Sequence, residues 1–203
     1  MHPRHRRLAS SSRLRFALAF MMGLVFNPGA RADSHVEQAL GAAAGIYAAI
    51  YVHELGHAAA FDAAGAAQIR INVPGPSCKL LCGQTDADLP HPPSAAQARL
   101  ISVAGFVASN ATAEGLLRHD GAARSAFGQG LIATNLYSNA SHVFTYYTKI
   151  VGRDGYRGND IDHYAMAGGN PHVLSASLLA YSVYALQRMH KKHIPVLFIS
   201  TRF

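Results

Sequence analysis

The chain has 203 residues, half of them hydrophobic and only 14% charged, with a formal net charge of +7. Soluble domains carry about 25% charged residues, so this composition, with a mean hydropathy of +0.09, points toward a membrane protein. The basic balance does not indicate nucleic acid. Five of the 18 Lys and Arg residues, Arg4, Arg6, Arg7, Arg13 and Arg15, crowd the N-terminus, and no RNP, zinc-finger or basic-aromatic groove pattern follows.

Residues 1–32 read as an export signal. The Arg-rich start leads into the apolar run Phe16 to Phe26, then the helix breakers Asn27-Pro28-Gly29 and the small-x-small end Ala30-Arg31-Ala32. That is the n-region, h-region and A-x-A order of a signal peptide. The run of eleven residues is short beside the about 20 needed to cross a bilayer, and an uncleaved signal anchor is the alternative. Residues 33–190 form the expected membrane-embedded domain, and 191–203 a basic C-terminal tail.

Four apolar stretches follow, at about 37–61, 95–117, 126–150 and 172–189. Each mixes small residues with a few polar ones, the composition of helices packed closely on one another inside a membrane. The expected fold is therefore all-α, a bundle of about four transmembrane helices. In the loop 68–94, Ile69-Arg70-Ile71-Asn72-Val73 alternates as a strand does, and a short β-hairpin there is the one expected departure. Arg118 to Arg124 reads as a short loop, and 151–171 as a longer one dense in Gly, Asp and Asn. Membrane orientation stays open: an exported residue 33 and four spans would return the basic segment Arg188 to His193 to the outside, against the positive-inside tendency. Cys78 and Cys82 are too few for a zinc site of their own. They form a short-loop disulfide if that loop lies outside the cytosol and a reduced pair if inside.

The first apolar stretch contains His53-Glu54-Leu55-Gly56-His57. On a helix, positions i and i+4 lie one above the other on one face, so His53 and His57 can offer two imidazoles to one ion while Glu54 stands beside them. This is the HExxH arrangement of zinc hydrolases. An ionisable group inside an apolar helix is costly unless it faces protein or water, which marks the segment as functional. The metzincin pattern needs a Gly and a third His further on; Ala60 and Ala63 hold those places. A gluzincin needs a downstream helical Glu, for which Glu114 is the only candidate. Asp62 marks the helix end, and His142 reads as a packing residue of the third stretch.

The HELGHA segment, followed by Ala104-Gly105 and Asn110 and then by an Asp-bearing segment, resembles the site-2 protease family of intramembrane metalloproteases across roughly residues 45–170. Phe106 stands where that family often has Pro. The resemblance implies His53 and His57 as zinc ligands and Glu54 as general base, with zinc lowering the pKa of its water toward about 7. It also implies a third, carboxylate ligand. Asp160, which follows Gly158-Asn159, is the first choice, with Asp162 and then Asp154 as alternates. Asn110 and Asn135 would steady the oxyanion or the substrate strand. The implied partners are a membrane protein or peptide substrate and the lipid bilayer, with no nucleic acid. The implied location is a cell envelope, the bacterial inner membrane. A non-catalytic membrane protein that keeps the fold for binding or structure is the competing expectation.

Overall fold

A computed structural model describes residues 35–75, 82–149 and 158–195. The signal segment 1–32, the far end of the C-terminal tail, Cys78 and Asp154 lie outside the described residues. The described chain is mostly helical with one small sheet, in the order α1 (His35–Ala63), β1 (Ala67–Asn72), β2 (Gln84–Asp88), α2 (Ala95–Arg118), α3 (Asp120–Arg124), α4 (Ala126–Thr148), α5 (Asp160–Met166) and α6 (Pro171–Lys191). The four apolar stretches are the four long helices. Among the described residues one of them, α2, is long and apolar enough to cross a membrane.

Local signals set the ends of these helices. Ser94 accepts from the main chain of Gln97, whose side chain reaches back to the Ser94 N–H, so α2 opens on a capping box. Asn170 caps α6 ahead of Pro171 at the first helical position, where a missing N–H costs nothing. Two elements were not expected. The segment after Arg118 forms the short helix α3, and the Gly/Asp/Asn-rich stretch contains α5.

Small residues let the long helices approach closely. A Cβ on Gly45 would lie 2.1 Å from the Phe127 carbonyl oxygen of α4, and one on Gly130 would lie 2.3 Å from that of Ala42 in α1. The main core joins Ala48 and Ala49 of α1, Leu116 and Leu117 of α2, Leu131 and Ile132 of α4, and Ala185 and Met189 of α6. A second cluster, Phe106, Val143, Ile161 and Leu178, ties α5 to α2, α4 and α6. Burying the Ile161 side chain contributes about 1.5–3 kcal/mol, and this holds its neighbour Asp160 against the bundle.

β1 and β2 pair antiparallel, with Arg70 opposite Asp86 and Asn72 opposite Gln84, and a bulge between Ala67 and Arg70. The hairpin packs on α1. It begins two residues earlier than the alternation suggested, with Gln68 at φ 53 inside the bulge. Cys82, just before β2, is disulfide-bonded.

Candidate metal centre

His53 and His57 sit one turn apart on α1, both 7% exposed, with ring centroids 4.8 Å apart. Their Nε2 atoms are 3.1 Å apart. Asp160 Oδ2 lies 3.0 Å from Nε2 of His53 and 3.2 Å from Nε2 of His57. These three residues can hold a metal ion. With zinc–ligand bonds of about 2.0–2.1 Å, donors at the corners of a tetrahedron stand about 3.3 Å apart; the observed triangle matches one face of it. His57 Nδ1 donates to the Ile101 carbonyl at 2.7 Å. That bond fixes the ring so that Nε2 faces Asp160, the usual outer contact of a metal-binding imidazole. The donor set therefore fits a cation.

Asp160 reaches the helical pair because the chain turns sharply before α5. Gly158 has φ +90, a region that favours glycine. Asn159 then caps the helix, its Oδ1 accepting from the N–H groups of Ile161 and Asp162. Its Nδ2 donates to the His142 carbonyl at 2.9 Å and to Thr145 Oγ1 at 2.8 Å, which ties the cap to α4. At the other end, Arg99 of α2 donates to the Ala167 carbonyl at 2.9 Å. Burial alone would raise the Asp160 carboxyl. The imidazoles of His142, His53 and His57 in hydrogen-bond reach outweigh it and hold the group well below the usual carboxylate range. Asp160 is thus anionic near neutrality, as a ligand must be.

The alternates are placed elsewhere. Asp162 accepts from the Asn159 N–H at 3.0 Å and pairs with Lys149 at 2.6 Å, completing the α5 capping box. Glu114 pairs with Arg118 and Arg188 and is outside the metal group.

The backbone makes room for the donors. A Cβ on Gly56 would lie 2.3 Å from the Ala104 carbonyl oxygen, and one on Gly105 would lie 2.5 Å from His57 Nε2 and 2.6 Å from His53 Nε2. The glycine inside HELGH and that of the Ala104-Gly105 pair therefore both lie in the α1–α2 contact, one against Ala104 and the other against the imidazoles. Phe106 is 2% exposed. Its ring packs edge-on against His53 at 5.3 Å and His142 at 4.9 Å, so it braces the imidazoles.

Glu54 is held from the hairpin. Thr85 Oγ1 donates to Glu54 Oε2 at 2.8 Å and lies 3.0 Å from the Glu54 carbonyl oxygen. A Cβ on Gly83 would fall 2.3 Å from Glu54 Cγ, so only a bare backbone passes here. Glu54, the three donors, Gly83 and Thr85 line one cavity of about 730 Å³, which Asn135 and Ser138 of α4 also line.

Asn110 and Asn135 belong to a polar knot. Asn110 Oδ1 accepts from Nδ2 of Asn135 and of Asn139, both at 3.0 Å, and its carbonyl accepts from Tyr181. Asn139 also donates to Ser182 Oγ at 3.2 Å. Asn135 Oδ1 is buried with no hydrogen-bond partner among the described residues, and Asn135, unlike Asn110, borders the cavity. Thr85 escaped the reading of the sequence, since no spacing rule connects it to HELGH, and Asn159 was read only as part of the approach to Asp160, not as its helix cap. His142 was read as packing, yet its Nε2 is 3.5 Å from Asp160 Oδ2.

No family model matches this chain, and no curated protein or solved structure is significantly similar to it.

Proposed function

We propose that this chain is a zinc-dependent intramembrane peptidase of site-2 type, which hydrolyses peptide bonds in membrane-embedded or membrane-proximal segments of other proteins. The observation that carries the reading is the triangle of His53, His57 and Asp160 in one cavity with Glu54. A zinc ion held there supplies Lewis acidity and an activated water. Glu54 is the general base: its carboxylate, steadied by the Thr85 hydroxyl, takes the proton during attack on the carbonyl and passes it to the leaving amine. Asn135 borders the cavity and is the better placed of the two asparagines to contact a substrate strand.

The envelope setting rests on composition and surface. Val107 of α2, Phe144 of α4 and Val183 of α6 are 61%, 58% and 54% exposed. Large apolar side chains spread over several helices fit lipid contact, and the four long helices then form a bundle in a bacterial inner membrane.

The test pairs metal content with cleavage. Wild type and Glu54→Gln are purified in detergent and reconstituted with a mixture of transmembrane peptides, with zinc read by mass spectrometry and products by peptide mapping. Glu54→Gln should keep one zinc per chain and lose cleavage by about 10²-fold or more. Wild-type protein that takes up no zinc, or a Glu54→Gln variant that cleaves like wild type, overturns the reading.

A further inference from the structure

The hydroxyl groups on the long helices fall into two sets. Ser102, Thr112, Thr145, Thr148, Ser177 and Ser182 each donate to the carbonyl four residues back, at 2.8–2.9 Å. That bond satisfies a hydroxyl within its own helix. Thr134 and Ser141 of α4 depart from the pattern: neither hydroxyl has a hydrogen-bond partner among the described residues.

Both residues are half-buried and line the cavity of the metal site, as does Ser138 between them. Positions 134, 138 and 141 share one face of a helix. Asn135 borders the same cavity at 2% exposure, and its Oδ1 is buried without a partner among the described residues. Polar groups gathered and left unsatisfied on one side of an apolar helix mark a substrate pathway.

The chemistry of the site says what would satisfy them. A peptide carbonyl within a helix is shielded by its own turn, so a hydrolase takes its substrate extended. In an apolar medium every main-chain group released from a helix needs a new partner. A hydroxyl both donates and accepts, so it pairs with an N–H or with a C=O. Thr134 and Ser141 stand about 10.5 Å apart along α4, the length of about three extended residues.

We propose that Thr134, Ser138 and Ser141 form a wall that hydrogen-bonds the main chain of an extended substrate segment beside the metal centre. The inference rests on the peptidase reading above and adds how that site holds its substrate: unwound, along α4, and by its main chain. A substrate N–H seated there also supplies the donor that Asn135 Oδ1 lacks.

Cleavage of a transmembrane peptide by the reconstituted full-length protein, followed against peptide concentration, tests the wall. Bonds made equally to bound substrate and transition state appear in KM and not in kcat. Removing two hydroxyls with Thr134→Val and Ser141→Ala together should therefore raise KM at least about 10-fold, with kcat and zinc content unchanged. Thr134→Ser, which keeps the hydroxyl, should retain the wild-type KM. So should Ser177→Ala, which deletes a back-bonded hydroxyl of α6 outside the cavity. Thermal melting confirms folding, and should the pair not fold, each single variant carries the same test at about 3-fold. A wild-type KM in the folded variants, or a loss in kcat alone, overturns the inference and leaves the peptidase reading standing. Wild-type protein that cleaves no peptide overturns both.

Discussion

Gly105→Ala is the substitution that most directly tests whether the space between His53 and His57 belongs to an ion. The new Cβ would stand 2.5 Å from His57 Nε2, 2.6 Å from His53 Nε2 and 2.7 Å from His53 Cε1. Non-bonded heavy atoms settle at about 3.5 Å, so the rings must retreat by about 1 Å or α2 must back away from α1. Metal coordination tolerates about 0.2 Å, and either movement dismantles the donor triangle. Zinc affinity should fall at least about 100-fold, which corresponds to about 2.8 kcal/mol. The fold should survive, because alanine in a helix interior gains about 1 kcal/mol over glycine against the strain of the contact. Gly115→Ala is the control on the same helix: nothing lies within 4 Å of its Cβ, so it should keep wild-type zinc binding. Zinc affinity is read by chelator competition and folding by thermal melting. A folded Gly105→Ala protein with wild-type affinity and stoichiometry would falsify the assignment of the ion to this imidazole pair.

Two further outcomes follow from the same geometry. Asp160→Ala should abolish zinc binding, whereas Asp162→Ala, which loses a helix cap and the Lys149 pair, should keep zinc and lower stability by about 1 kcal/mol; metal analysis beside a thermal melt separates the two. Thr85→Val takes the hydroxyl away from Glu54 Oε2 and should slow peptide cleavage about 10-fold with zinc content unchanged. Thr85→Ser should restore the rate, and cleavage by the Val variant at wild-type speed removes Thr85 from the machinery.

Most of the helical framework was legible in the chain because helices are local. The apolar stretches 95–117 and 172–189 became α2, Ala95–Arg118, and α6, Pro171–Lys191, with Ser94 and Asn170 as caps. His53 and His57 share a face by the helical repeat alone, and Glu54 follows from its place between them. The alternation at Ile69 to Val73 announced a strand, though the bulge at Gln68 shifted its start. α3 and α5, of five and seven residues, are too short to show a periodicity, and both went unread.

What no local rule could decide was which distant groups meet HELGH. Asp160 and Asp162 are two residues apart and chemically alike. Only the buried neighbour Ile161 and the Asn159 cap, bound to α4, turn one carboxylate inward and leave the other on the helix end. Thr85 reaches Glu54 because the hairpin packs on α1 through the bare backbone of Gly83. His142 arrives from a third helix whose approach to α1 is permitted by Gly45 and Gly130. The pair of imidazoles was determined by the sequence itself, since four residues of helix suffice to align them. The carboxylate and the hydroxyl on the base were decided by packing, because contacts across 107 and 31 residues depend on how whole helices fit together.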